Sequence, residues 1–365
     1  MKLADLPTPC LVLDRPKLMR NLRGMAGIMT RHQMPLRPHM KTAKSIDVAR
    51  LAISGQPGGI TVSTLAEAEY FASHGINDIL YAVGVTPGKL DQVAKLNAKG
   101  ATVTVITDDP LAADAIAAHG SNIKALIEID CGEQRGGVRV DQDLISELAK
   151  RLGARLTGVM THAGHSYQGR SVAEIAQIAE LERSHVVYAA QRLRAEGHGI
   201  TIVSAGSSPT GRHAETMNGL TEFRAGVYMF GDLFQAEIET HARDAIALTV
   251  LTSVIGRPPN RLLIDAGALA LSKDRSTELT PHDYGYGLVQ DVRGEFALGA
   301  AVVRKAYQEH GVIELDANSL VETPVGTRLR ILPNHACLTA AAHDRYYVVE
   351  GADDVVAVWP RMNGW

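Results

Sequence analysis

Two clusters of residues in this chain carry chemistry. The first is Lys41, in Leu36-Arg37-Pro38-His39-Met40-Lys41-Thr42. An amine that is partly buried among cations such as Arg37, His39 and Lys44 loses its proton more readily and becomes a carbonyl nucleophile. The second is His335 with Cys337, in Pro333-Asn334-His335-Ala336-Cys337. On a strand, residues two apart share a face. A thiolate and an imidazole there suit Zn²⁺ or another soft divalent metal. Two protein ligands leave positions open for water or substrate, as catalytic metals need. Spacing alone also describes a buried cysteine beside a surface histidine. A lone lysine at a strand end is equally at home solvated or ion-paired.

Three further stretches attract notice. Ser204-Ala205-Gly206-Ser207-Ser208-Pro209-Thr210 follows an apolar run and precedes a helical one. Its small residues let backbone N–H groups approach an anion, and its hydroxyls add donors; an ordinary capped turn reads the same way. Gly226 lies after the next apolar run and would complete a cup. His162 and His165 are additional metal candidates, or loop histidines that pack or cap.

The elements that must position these residues follow from periodicity. From about Leu36 to Gly231, short apolar runs alternate with longer amphipathic stretches. The runs are Leu36–Pro38, Ile60–Val62, Ile79–Tyr81, Thr102–Ile106, Leu126–Ile129, Leu156–Met160, Ile202–Ser204 and Phe223–Val227. Apolar residues at i, i+3 and i+4 mark the intervening helices, and Ser63-Thr64 and Asp109-Pro110 read as helix starts. Eight strand–helix repeats fit an α/β class, a (β/α)8 TIM-type barrel. A doubly wound sheet would call for a Gly-rich turn after its first strand, where this chain has His39-Met40-Lys41. After Arg243, short β-branched runs punctuated by Gly, Pro and Asn predict a mostly antiparallel β-domain. The expected divisions are 1–20, a strand joining the β-domain, then 21–243, the barrel, and 244–365, the β-domain with the metal site. A barrel puts its active site at the C-terminal ends of its strands. There the chain places Lys41, Arg135, His162, Tyr167, Ser207 and Arg224.

Bulk properties narrow the function. The chain has 365 residues, net charge −3 and no basic run, which argues against nucleic acid as a partner. No apolar run approaches the ~20 residues of a membrane helix. The start, Met1-Lys2-Leu3-Ala4-Asp5, lacks a signal-peptide pattern. Three distant cysteines, Cys10, Cys131 and Cys337, predict a reduced, cytoplasmic protein.

In this order the motifs resemble the fold-type III pyridoxal-phosphate enzymes, the alanine-racemase-like barrels, and among them the D-serine dehydratase and D-threonine aldolase family. The resemblance runs from Asp5-Leu6-Pro7-Thr8-Pro9 to Val358-Trp359-Pro360. It implies that Lys41 holds pyridoxal 5'-phosphate, with His39 beside it. Asp130 to Gly137 is similar to the family's arginine loop, so Arg135 would approach the cofactor's phenolate. His162 to Tyr167 is similar to the loop whose tyrosine meets the pyridine nitrogen, so Tyr167 takes that role. Gly206, Ser207 and Ser208, with Gly226, Val227 and Tyr228, match the phosphate cup, and His335 with Cys337 matches the metal segment. The resemblance implies a lyase acting on small D-3-hydroxy amino acids, and a homodimer. The family's aldolases tend to carry His-x-Asp at the metal segment and its dehydratases His-x-Cys, so Cys337 favours dehydration. Retro-aldol cleavage is the alternative. A racemase is the second, with Tyr284 or Tyr286 as its opposite acid/base.

Overall fold

In a computed structural model, residues 1–315 and 323–365 are described. The chain divides into two compact units. One joins Met1–Arg23 to Val227–Asn363; the other holds Gly24–Gly226 with Gly364–Trp365. Residues 227–243, expected in the barrel, therefore fold with the β-rich unit.

That unit begins with strand β1 (Cys10–Asp14), all five residues buried. The barrel unit then contributes β2 (Leu36–Pro38), β3 (Ile60–Val62), β4 (Asp78–Gly84), β5 (Thr102–Thr107), β6 (Ala125–Asp130), the short β7 (Val138–Arg139), β8 (Leu156–Thr161), β9 (Ile202–Ala205) and β10 (Glu222–Ala225). The parallel order is β2-β10-β9-β8-β6-β5-β4-β3, with β7 beside β6. A parallel bridge between His39 and Thr61, with the Met40 N–H donating to the Thr61 carbonyl at 2.8 Å, links β2 to β3 and brings the sheet round to a nearly closed barrel. The eight apolar runs are thus the eight main strands. They read as unbroken β-branched runs because parallel strands are buried on both faces. Both expected helix starts are present. Thr64 accepts from the Glu67 N–H, and Asp109 accepts from Ala112 with Pro110 in the first turn.

The β-rich unit continues with β11 (Leu248–Gly256), β12 (Arg261–Ile264), β13 (Leu288–Asp291), β14 (Val303–Ala306), β15 (Gly311–Glu314), β16 (Arg328–Leu332), β17 (Arg345–Val349) and β18 (Val355–Pro360). Pairing is antiparallel except between β1 and β17, which run parallel. Strand β14 was not apparent in the sequence, because Arg304 and Lys305 point outward and leave only Val303 as an apolar mark. No described helix is long and apolar enough to cross a membrane.

Leu80, Ile106, Leu126 and Met160, from four neighbouring barrel strands, pack together. Leu126→Ala should therefore cost about 2–5 kcal/mol, read as a lowered urea midpoint by circular dichroism. Leu111→Ala, on a side chain 75% exposed, should change it by no more than about 0.5 kcal/mol.

Candidate active site

At the barrel's C-terminal strand ends, Lys41 lies in a turn three residues past β2 and is exposed rather than partly buried. Its backbone N–H donates to His39 Nδ1 at 3.4 Å. His162 Nδ1 bonds the Gly206 carbonyl at 2.8 Å. Burial, followed by the charges of Lys41 and Arg224, holds His39 well below the usual imidazole range. Burial and Lys41 push His162 down to about 3. Both are therefore neutral at physiological pH, beside an excess of cationic charge. Such a field fits an anionic ester such as a phosphate.

Of the cations expected around Lys41, two are committed elsewhere. Arg37 pairs with Glu222 at 2.7 Å and with Asp78 at 3.0 Å. Those residues begin β10 and β4, so Arg37 serves the opposite, N-terminal rim of the barrel. Lys44 pairs with the buried Glu67 at 3.1 Å. Arg135 differs: it is half-exposed, with Glu128 at 3.9 Å and Glu133 at 3.7 Å, loose pairs that leave its guanidinium available. Its loop is shaped by Asp130, which accepts from the Gly132 and Gln134 N–H groups at 2.8 and 3.1 Å. Glu133 reaches across and accepts from the Gly164 N–H at 3.1 Å, tying the arginine loop to the loop of Tyr167. Tyr167 sits in the 3₁₀ turn Gly164–Gln168.

After β9, Ser207 caps the helix Ser208–His213, and its hydroxyl accepts from the Thr210 N–H at 3.1 Å. The Ser207 N–H donates to Thr210 Oγ1 at 3.0 Å, and its hydroxyl also meets Ser166 at 3.0 Å. Ser207 thus shapes the turn. Ser208 heads the helix and is buried. Gly206 needs its missing side chain: φ is +135°, and a Cβ would lie 2.2 Å from the Arg224 carbonyl oxygen. Gly226 also approaches backbone closely, with the His39 carbonyl oxygen 2.8 Å from a built Cβ. Sequence reasoning did not find Glu182, a buried residue of the helix Val172–Ala195 that accepts from Ala163 and Gly206. In sequence it is one of several glutamates on a helix, and nothing there marks it as the one turned inward.

In the β-rich unit, Val227 and Tyr228 form the 3₁₀ turn Val227–Met229, and burial pushes the Tyr228 phenol up. His335 and Cys337 do not lie on a strand. Pro333 ends β16, His335 is the N-cap of the helix Ala336–Ala341 and Cys337 lies in its first turn. The two side chains nonetheless hydrogen-bond. Burial disfavours charge on the His335 imidazole, but Asp274 and Cys337 outweigh it and raise the group well above its usual range. Asp274 Oδ2 lies 3.2 Å from His335 Nδ1. Burial would raise Asp274, yet bonds from His335 and Ser276 hold it at about 2. Asn334 is buried and donates to the carbonyls of Asp274 and Gly285, pinning that loop to the histidine segment. A thiol beside an imidazole whose other nitrogen is held by a carboxylate is a donor set that fits zinc. Among the described residues no group of three or more His, Cys, Asp and Glu comes together as a metal cage. His162 and His165 lie in the barrel unit, and His162 is engaged by Gly206. Tyr284 donates to Glu237 at 2.8 Å and, through burial and that carboxylate, is pushed up to about 12.

Residues 13–233 match the family model of the alanine racemase N-terminal domain, and residues 247–349 match a putative serine dehydratase domain. The fold is that of an alanine-racemase-like enzyme. Within that group the chain belongs to the D-serine dehydratase and D-threonine aldolase family, whose members are pyridoxal-phosphate-dependent lyases. It is 42% identical to the D-threo-3-hydroxyaspartate dehydratase of Delftia sp. (strain HT23), over 100% of this chain and 99% of that one. It is 34% identical to the 3-hydroxy-D-aspartate aldolase of Paracoccus denitrificans (strain Pd 1222), over 98% of this chain and 92% of that one. The metal-free form of a mutant D-threo-3-hydroxyaspartate dehydratase superposes with a TM-score of 0.97 at 41% identity, covering 100% of both chains.

Gly206→Ala should destabilise the barrel by more than about 2 kcal/mol, from the positive φ and the clash with Arg224 together. Gly88→Ala, with nothing within 4 Å of a built Cβ, is the matched control and should leave the thermal midpoint nearly unchanged.

Proposed function

We propose that this chain dehydrates a D-configured 3-hydroxy amino acid to a keto acid and ammonia, using pyridoxal 5'-phosphate and a divalent metal. D-threo-3-hydroxyaspartate and D-serine rank ahead of D-threonine as substrates. The observation that carries the reading is full-length identity of 42% to a dehydratase, together with a cysteine at position 337. A thiolate gives a metal more charge than a carboxylate and binds through one atom.

The cofactor supplies an electron sink at the substrate's α-carbon, and the metal a Lewis acid for its β-hydroxyl. Lys41 would hold the cofactor and would serve as the base at the substrate's α-carbon; its exposed position past β2 gives the amine room to move. His39 packs beside it as a neutral partner. Arg135, loosely paired, turns to the phenolate oxygen. Tyr167 donates to the pyridine nitrogen as a neutral phenol. Ser208 and Gly226 meet the phosphate, while Gly206 and Ser207 set the turn. His335 and Cys337 bind Zn²⁺ or another divalent ion, and Asp274 orients the imidazole. A racemase needs a phenol free to exchange a proton; Tyr284 is held by Glu237, and Arg275 lies 5.2 Å over the Tyr286 ring. We further propose a cytoplasmic homodimer. The three free cysteines, two of them buried, support a reducing setting.

Four measurements test this. Purified holoprotein should be yellow, with the visible band removed by borohydride and absent from Lys41→Ala; a colourless protein after incubation with the cofactor sinks the reading. Chelation should abolish turnover while the visible band persists, and full activity in metal-free enzyme would exclude a catalytic metal. Offered D-serine, D-threonine and D-threo-3-hydroxyaspartate, the enzyme should release ammonia and a keto acid. Glycine with an aldehyde would instead establish the aldolase reaction of the Paracoccus relative. Sedimentation should give a dimer, and an active monomer at assay concentration would exclude one.

A further inference from the structure

Glu182 is 1% exposed, in the middle of the 24-residue helix Val172–Ala195. A carboxylate so placed needs a reason, because burial of an unpaired charge costs several kcal/mol. Its partners come from two different loops. One oxygen, Oε1, accepts from the Ala163 N–H at 2.8 Å and from the Gly206 N–H at 3.1 Å. The Thr210 hydroxyl is a third donor. Ala163 begins the loop that carries Tyr167 after β8, and Gly206 begins the turn that carries Ser207 and Ser208 after β9. Two more bonds join the same loops from the other side: His162 Nδ1 to the Gly206 carbonyl at 2.8 Å, and Ser166 to Ser207 at 3.0 Å.

We propose that Glu182 is a positioning residue for the cofactor, a clamp that fixes the phosphate turn at one set distance from the tyrosine loop. The proposal rests on the reading that these loops hold pyridoxal phosphate. A rigid cofactor spans its pyridine and its phosphate by a fixed length, so two loops that grip opposite ends must be held in register. His162 and Ser166 already tie the two loops to each other, but both sit on the loops themselves. Glu182, on a helix that packs against β8 and β9, supplies the common reference for both. The Gly206 N–H is thereby spent on Glu182 rather than on the phosphate.

The test separates positioning from general stability by comparing two ligands on the full-length protein freed of cofactor. Pyridoxal phosphate and pyridoxal differ only in the phosphate. Glu182→Met keeps the length of the side chain and removes both acceptors. It should weaken pyridoxal phosphate roughly tenfold or more, the loss of one hydrogen bond to a charged group, and pyridoxal by no more than about threefold. Glu182→Gln, whose amide oxygen still accepts both N–H groups, should restore most of the preference. If Glu182→Met does not accumulate, Glu182→Asp reads the same ratio, since its oxygens are drawn back by one methylene. A wild-type ratio in these variants, a parallel fall for both ligands, or insolubility of both would overturn the proposal and leave Glu182 as a folding residue. Failure of the wild-type protein to bind pyridoxal phosphate at all would instead overturn the cofactor reading beneath it.

Discussion

A guanidinium buried at the heart of the barrel is the constraint that the site depends on. Arg224 is 3% exposed, on β10. It donates to the Thr161 carbonyl on β8 and to the Ser204 hydroxyl on β9. Removing such an ion from water costs several kcal/mol unless charge and hydrogen bonds offset it. Burial lowers its affinity for its proton, and Glu222, Glu182 and Glu128 act against that. Its register partner on β2 is another arginine, Arg37. Two like charges side by side are tolerable only because Glu222 sits between them, accepting from Arg37 Nε at 2.7 Å and from Ser204 at 2.6 Å. This chain of alternating charge continues to Asp78 and so links β8, β9, β10, β2 and β4. A slip of any one strand would leave a buried charge unpaired, which is far costlier than a slip in an apolar barrel.

The same guanidinium sets the electrostatics of the strand ends. Burial is the main reason His39 and His162 stay neutral, and Lys41 with Arg224 adds to it. A neutral imidazole can accept or donate: His39 Nδ1 accepts from the Lys41 N–H, and His162 Nδ1 donates to the Gly206 carbonyl. The positive potential that remains is met among the described residues only by the loose contacts of Arg135 with Glu128 and Glu133. Lys44 and Arg37 are already paired, so what is left is carried by Lys41 and the loosely paired Arg135. A barrel mouth arranged like this favours a ligand that brings its own negative charge.

In the β-rich unit, carboxylates do comparable work on backbone. Asp232 is buried and accepts from the Gln235 and Ala336 N–H groups at 2.8 and 2.9 Å, one carboxylate joining the starts of two short helices. Burial pushes it up to about 6. Asn334 and Asp274 then fix the loop beside His335. These short helices have little stability of their own, so their ends are defined by tertiary bonds rather than by propensity.

The sequence by itself determined the barrel, because parallel strands buried on both faces must be short β-branched runs and their helices must show a 3.6-residue period. It singled out the candidate segments, since Lys41, the Asp130–Gly137 loop, the glycine-serine turn and His335 with Cys337 are marked by residue type. Tertiary structure decided the rest. Arg37 looked like a neighbour of Lys41 because the two are four residues apart, yet a strand sends its side chains to faces and rims that sequence distance does not reveal. His335 and Cys337 looked like a strand pair and are a helix start, because a side chain 104 residues away caps that helix. Glu182 and Asp274 had no local signal at all. A buried carboxylate is defined by the backbone donors that surround it, and those come from elements brought together only when the chain folds.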